Sequence, residues 1–259
     1  MLNNQSFIPL LLSVIAGLST VIGAFIVFFS KSESKKLITF SLAFSAGVMI
    51  TISFTDLFKT AEETLSKYQG KASGVFFSLL FLIIGAILAL LIDHFIPNEE
   101  KVITTNNLSN AKLYRVGFVS MIALMLHNFP EGIATFVSAY ESTTLGIYIT
   151  IAIALHNIPE GISIAMPIYY STGSKLKAFK YTFYSGIAEP IGAFIAFLFL
   201  KPFINEIILS IIFAIVAGIM LYIAFAELIP ASRKYGCHKT YLFAIFSGIC
   251  IIPISHIWS

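Results

Sequence analysis

The hexapeptide His127-Asn128-Phe129-Pro130-Glu131-Gly132 returns as His156-Asn157-Ile158-Pro159-Glu160-Gly161, twenty-nine residues further on. Imidazole, carboxamide and carboxylate are together the ligand set of a borderline divalent cation. Imidazole and carboxylate hold zinc at about 2.0–2.2 Å, and iron(II) and manganese(II) accept the harder, oxygen-rich set. Histidine and glutamate four residues apart project from one face of a helix, so His127 pairs with Glu131 and His156 with Glu160. Each copy lies in a long apolar run. A charged carboxylate at the centre of a bilayer costs about 2.5–3.5 kcal/mol even on the lenient insertion scale, which makes such groups functional by default. Two carboxylates brought together repel unless a cation lies between them.

The backbone adds to the set. Pro130 and Pro159 have no amide hydrogen, so the carbonyls of Leu126 and Leu155 lose their usual helical partner. Within lipid such a carbonyl must be satisfied elsewhere or line a polar cavity. Gly132 and Gly161 permit close approach of a neighbouring helix. A third carboxylate, Glu189, follows in Ser185-Gly186-Ile187-Ala188-Glu189-Pro190-Ile191-Gly192-Ala193, again beside proline and between glycines. It is expected mid-helix and reaches the same centre. Its alternatives are a hydrogen bond to a neighbouring helix, or a neutral acid kept so by desolvation.

The elements that must position these groups are membrane helices. The chain has 259 residues, 58% hydrophobic and only 11% charged, against about 25% charged in soluble proteins. With about 20 residues needed per crossing, eight spans are predicted: 6–29, 37–58, 74–96, 115–140, 144–170, 178–200, 203–230 and 239–258. They form one transmembrane domain, 1–259. The first is too long, and lacks the basic flank, for a signal peptide. Twelve of the sixteen basic residues fall in the odd loops, among them Lys35, Lys112, Arg115, Lys175 and Arg233. The positive-inside bias makes those loops cytoplasmic and both termini external, in a multi-pass protein of the cell membrane. Basic residues scattered over four short loops exclude a nucleic-acid stripe. Cys237 and Cys250 have no metal-clip or redox spacing.

Residues 45–57, SAGVMITISFTDL, align without gaps to 216–228, VAGIMLYIAFAEL, with Asp56 opposite Glu227. The two helices run in opposite directions, as do the two that carry the hexapeptides. The fold class predicted is therefore an all-α membrane protein, with helices 1–3 and 6–8 as inverted copies around a central 4–5 pair. Secondary transporters built this way bind substrate near the midplane, at the repeat interface.

These motifs resemble the ZIP family of divalent-metal transporters, in its bacterial zinc-uptake branch, and the resemblance covers essentially the whole chain. It implies two adjacent metal positions between helices four, five and six. One uses His127, Glu131, His156 and Glu160. The other uses Asn128, Glu131, Asn157, Glu160 and Glu189, with the hexapeptide glutamates bridging. It further implies transport toward the cytoplasm by movement of the central helices against a more static scaffold, usually in a homodimer. Residues 97–114 lack the histidine-rich loop of many members. Both histidines and both asparagines are kept, which fits a broad range of cargo: zinc, iron(II), manganese and cobalt, carried as substrates with no cofactor.

Competing classes are weaker. An intramembrane metallohydrolase needs HExxH with an open coordination position, whereas the spacing here is HxxxE, so no enzyme is expected. A proton relay and a passive metal channel stay open as alternatives. Asp56 and Glu227 are candidates for the mouth and the exit of the path, or else are carboxylates at helix ends. Met49 is either a soft neighbour of the site or, with Met220, core filling. His94 is expected at the inner interface, His238 in the last cytoplasmic loop, as a solvated residue or one that meets outgoing metal, and His256 with Trp258 at the outer interface. Tyr169, Tyr170, Tyr181 and Tyr184 are expected in an interfacial belt.

Overall fold

The computed structural model describes residues 4–29, 34–95, 108–200 and 205–255. Among them the chain is helical throughout, with no strand. The helices are α1 (Asn4–Phe29), α2 (Lys35–Ile52), α3 (Lys59–Gln69), α4 (Lys71–Phe95), α5 (Leu108–Glu141), α6 (Thr143–Thr172), α7 (Lys175–Gly186), α8 (Ala188–Ile195), α9 (Glu206–Tyr222), α10 (Ile229–Arg233) and α11 (His238–Ser255). Six helical stretches among the described residues are long and apolar enough to cross a membrane, and His238–Ile254 is a shorter apolar helix. The sixth predicted span is interrupted at Ile187, between α7 and α8. Lipid-facing positions such as Phe76, Ile83, Phe194 and Phe246 stay exposed, as an apolar solvent allows. Residues 97–107 of the third loop, His256 and Trp258 lie outside the described residues.

Helices α2 and α9 do not end where a proline or glycine would stop them. Each passes through a six-residue π-helical segment, Ser53–Phe58 and Ile223–Leu228, and continues as α3 and α10. π-segments inside α-helices are frequent at functional sites. These two carry the aligned acids, Asp56 and Glu227.

The packing is reciprocal. Helix α1 lies on α6 while α8 lies on α5; α2 lies on α11 while α9 lies on α4. Exchanging the first three spans with the last three, and α5 with α6, maps each pairing onto the other. Glycines mark the contacts atom by atom. A Cβ on Gly132 would strike the Glu189 carbonyl, and one on Gly161 would strike that of Thr20. Gly23 faces the Ile158 carbonyl and Gly192 that of Phe129. Gly47 faces Ile245 and Gly218 faces Leu82, again at the carbonyl. Gly17 and Gly186 face each other's carbonyls, so they sit on the axis of the exchange.

Only Ser142 separates α5 from α6. Gly146 folds back against Ala139, so the two helices are antiparallel. An exchange that swaps them reverses membrane direction. This is the inverted arrangement.

Candidate metal centre

Both hexapeptides sit within unbroken helices: α5 continues through Pro130 and α6 through Pro159. The residues whose carbonyls the prolines release, Leu126 and Leu155, have exposed side chains, which puts the opposite faces of α5 and α6 inward. There His127, Asn128, Asn157 and Glu160 are fully buried and Glu131 is 4% exposed. His156 falls on α6 one residue before Asn157, and its side chain is outside those described.

Three donors converge. His127 Nε2 lies 3.2 Å from Glu131 Oε1 and 3.2 Å from Glu160 Oε1. Atoms bound about 2.0–2.1 Å from a tetrahedral metal lie roughly 3.3 Å from one another. The spacing is therefore that of one edge of a coordination shell. Among the described residues no three His, Cys, Asp or Glu groups enclose a common point at ligand distance; the imidazole is instead paired with both carboxylates.

The two amides are held through their Nδ2 groups. Asn128 Nδ2 donates to the Ser185 carbonyl at 3.2 Å. Asn157 Nδ2 donates to the Ala16 carbonyl at 3.0 Å and to Glu189 Oε2 at 2.9 Å. Each Oδ1 is buried and receives no hydrogen bond among the described residues; the same is true of Glu160 Oε2 and Glu189 Oε1. Buried acceptors without donors are costly. Four of them, two on amides and two on carboxylates, form an environment that a dication relieves.

Glu189 is not mid-helix, contrary to expectation. It lies in the first turn of α8, immediately after the break at Ile187. Pro190 removes the amide that would bond the Gly186 carbonyl, and proline is well tolerated only near a helix start. The break turns Glu189 inward, fully buried.

Sequence reasoning did not find Ala16, Ser185 or Ser45. The first two act through backbone carbonyls, which carry no sequence signature of their own. A signal was nevertheless present: residues 16–25, AGLSTVIGAF, match 185–194, SGIAEPIGAF, at five of ten positions. Ser45 Oγ donates to the Pro159 carbonyl at 2.6 Å, tying α2 to the second hexapeptide.

The marginal residues separate. Glu227 is 8% exposed and faces Arg115 at 3.6 Å. Asp56 is partly exposed and accepts from Thr55 Oγ1 at 3.0 Å. Met49 and Met220 are fully buried in the core with Ile164, Met166 and Ile223. Tyr170 is 8% exposed, and its hydroxyl takes the Ser34 amide at 3.1 Å. Tyr181 pairs with Tyr114 at 2.7 Å. Each hydroxyl ties its helix to another, α6 to the residue before α2 and α7 to α5. Cys237 and Cys250 are free thiols.

Comparisons with known proteins give the family. The family model described as ZIP Zinc transporter matches residues 98–255, a range that holds both hexapeptides and Glu189. The chain is 44% identical to the zinc transporter ZupT of Streptococcus mutans, over 98% of each chain. It is 43% identical to that of Oceanobacillus iheyensis, over 97% of this chain and 98% of the relative. For that of Clostridium perfringens the identity is 42%, over 97% and 96%. The family is one of transporters, which removes the metallohydrolase alternative. The buried cluster of histidine, amides and carboxylates, the apolar helices around it and these full-length likenesses have one common account: the chain belongs to the ZIP zinc transporter family.

Proposed function

We propose that the chain, as a single transmembrane domain, takes up zinc into the cytoplasm, and with it iron(II), manganese and cobalt. The cargo binds at His127, Asn128, Glu131, His156, Asn157, Glu160 and Glu189, and passes by alternating access. The observation that carries this reading is the convergence of Glu131 and Glu160 on His127 Nε2, at 3.2 Å each, inside an apolar bundle. Burial of every described side chain of the set, with Glu131 the most exposed at 4%, supports a carrier over an open channel. The relatives' printed name, zinc transporter, supports zinc as cargo.

The donor chemistry fits the range. One imidazole nitrogen suits zinc, and the excess of oxygens suits iron(II) and manganese(II). Glu131 and Glu160 supply charge, while the amides supply neutral oxygens whose N–H groups are already engaged.

The test is uptake of radioactive zinc into liposomes holding the purified protein, compared with Glu160→Ala. The reading requires saturable zinc entry that the variant abolishes. Proton flux without zinc entry, unchanged in the variant, would instead favour a proton relay.

A further inference from the structure

We propose that Thr20 is a further oxygen donor of the metal centre, the counterpart on α1 of Glu189 on α8. The inference rests on the reading of this cluster as the site of the transported cation, and adds a residue and a helix to it.

The equivalence follows from paired contacts. Ser185 and Ala16 accept the Nδ2 groups of Asn128 and Asn157. Gly186 and Gly17 meet each other, and Gly192 and Gly23 meet the carbonyls of Phe129 and Ile158. The residue between, Glu189 on one side, rests its carbonyl on Gly132; on the other side Thr20 rests its carbonyl on Gly161. One offset of 169 residues relates all four pairs. Glu189 reaches Asn157, so the exchange directs Thr20 toward Asn128.

A second observation concerns the hydroxyl itself. A helical threonine or serine ordinarily returns its hydroxyl to the carbonyl three or four residues back. Thr51, Thr150, Thr172 and Thr182 all do so. Thr20 does not: it is fully buried and its Oγ1, like those of Thr39 and Thr135, has no hydrogen-bond partner among the described residues, and what sets it apart is its place, 169 residues from Glu189. The carbonyl four back is Ala16, which already accepts Ser19 Oγ at 2.5 Å and Asn157 Nδ2 at 3.0 Å. The usual acceptor of the hydroxyl is thus already engaged by a residue of the centre, while the Thr20 carbonyl packs on Gly161, next in sequence to Glu160.

The chemistry this supplies is a hard, neutral oxygen. A glutamate there, as full symmetry would demand, would add a fourth carboxylate and hold a dication more tightly. Threonine completes the shell at three carboxylates, so the cation is gripped less strongly and leaves more readily.

The experiment measures zinc binding by calorimetric titration of the purified full chain with zinc alone, together with liposome uptake and thermal unfolding. Wild type, Glu160→Ala, Thr20→Val and Thr20→Ser are compared. Thr20→Val is expected to weaken zinc binding on the order of tenfold, with an unchanged melting temperature, while Thr20→Ser stays within about twofold of wild type. Should Thr20→Val not fold, Thr20→Cys answers instead: a sulfur donor raises the ratio of zinc to manganese binding if the position touches the ion. Wild-type affinity in Thr20→Val, equal losses in Val and Ser, or an unchanged ratio in Cys would each overturn the assignment. A wild type that neither binds nor carries zinc would overturn the underlying reading, whatever Thr20 does.

Discussion

Arg115, at the start of the helix that bears the first hexapeptide, faces Glu227 at 3.6 Å across the bundle. Its guanidinium also meets Asp93 Oδ1 at 2.6 Å and donates to the Asp93 carbonyl at 2.9 Å. Tyr222 donates to the other oxygen of Asp93 at 3.1 Å. Twelve residues, about 18 Å of helix, separate this network from His127. Glu227 was a candidate for receiving outgoing metal. In this conformation a tethered cation already engages it.

Removing the guanidinium leaves two carboxylates facing each other with little water. Breaking a buried pair costs about 3–5 kcal/mol, and the partial exposure here, 25% for Arg115 and 17% for Asp93, reduces that to about 2 kcal/mol. Arg115→Ala should lower the melting temperature, and Arg115→Lys should recover part of the loss. Adding Glu227→Gln to Arg115→Ala should restore stability, because the repulsion is then gone. A double variant no more stable than the single one would show that Glu227 is not coupled to Arg115.

Asn157 separates ligand chemistry from packing. Its Nδ2 holds the Ala16 carbonyl and Glu189 while its Oδ1 is buried without a donor. Asn157→Ala should keep transport but change the ratio of zinc to iron(II) uptake, because one hard oxygen is lost. The measurement is paired isotope uptake into liposomes, and a ratio equal to that of wild type argues against the amide as a donor.

Gly132→Ala and Gly161→Ala form a matched pair. In each, the added methyl meets a carbonyl of the packed helix, that of Glu189 or of Thr20. Backbone cannot rotate away, so overpacking of about 1–3 kcal/mol or more follows. Both variants should unfold at lower temperature than wild type, and to a similar extent. Gly70→Ala tests a different term: it has open space around it but a φ of 82°, so any loss there comes from backbone conformation alone.

Zinc should raise the melting temperature of the wild type. A ligand at one hundred times its dissociation constant stabilises by about 2.7 kcal/mol. The shift should reverse with chelator and be absent in Glu160→Ala, which removes a carboxylate with two oxygens in the centre. Differential scanning in detergent provides the reading, and an equal shift in the variant would place zinc elsewhere.

Much of this was legible beforehand, for definite reasons. Polar residues in apolar runs stand out because lipid charges heavily for them, so His127, Glu131, Asn157 and Glu160 could be read from spacing alone. The repeat between α2 and α9 was legible because small residues and an acid recur in register. The repeat between α1 and the α7–α8 pair escaped notice, although the letters IGAF recur in both. The break at Ile187 was not foreseen, because Pro190 permits either a kinked continuous helix or a fresh start. The π-segments left no mark in composition, as π and α turns use the same residues. Ser45 looked like a small packing residue, and only the fold places its hydroxyl on the Pro159 carbonyl. Arg115 looked like one basic residue of a loop, and only the fold gives it two acids.

The mutual contact of Gly17 and Gly186 has a bearing on energetics. Under the alternating access proposed above, a shape open to one side of the membrane has a counterpart open to the other, related by the two-fold rotation that trades the halves. Were the halves identical in sequence, those two shapes would be equally populated without any driving force. Their preference must then reside wherever the trade fails: threonine against glutamate at 20 and 189, serine against valine at 45 and 216, aspartate against glutamate at 56 and 227, arginine against threonine at 115 and 144. Unmatched side chains such as these are where the resting bias of the protein can be tuned.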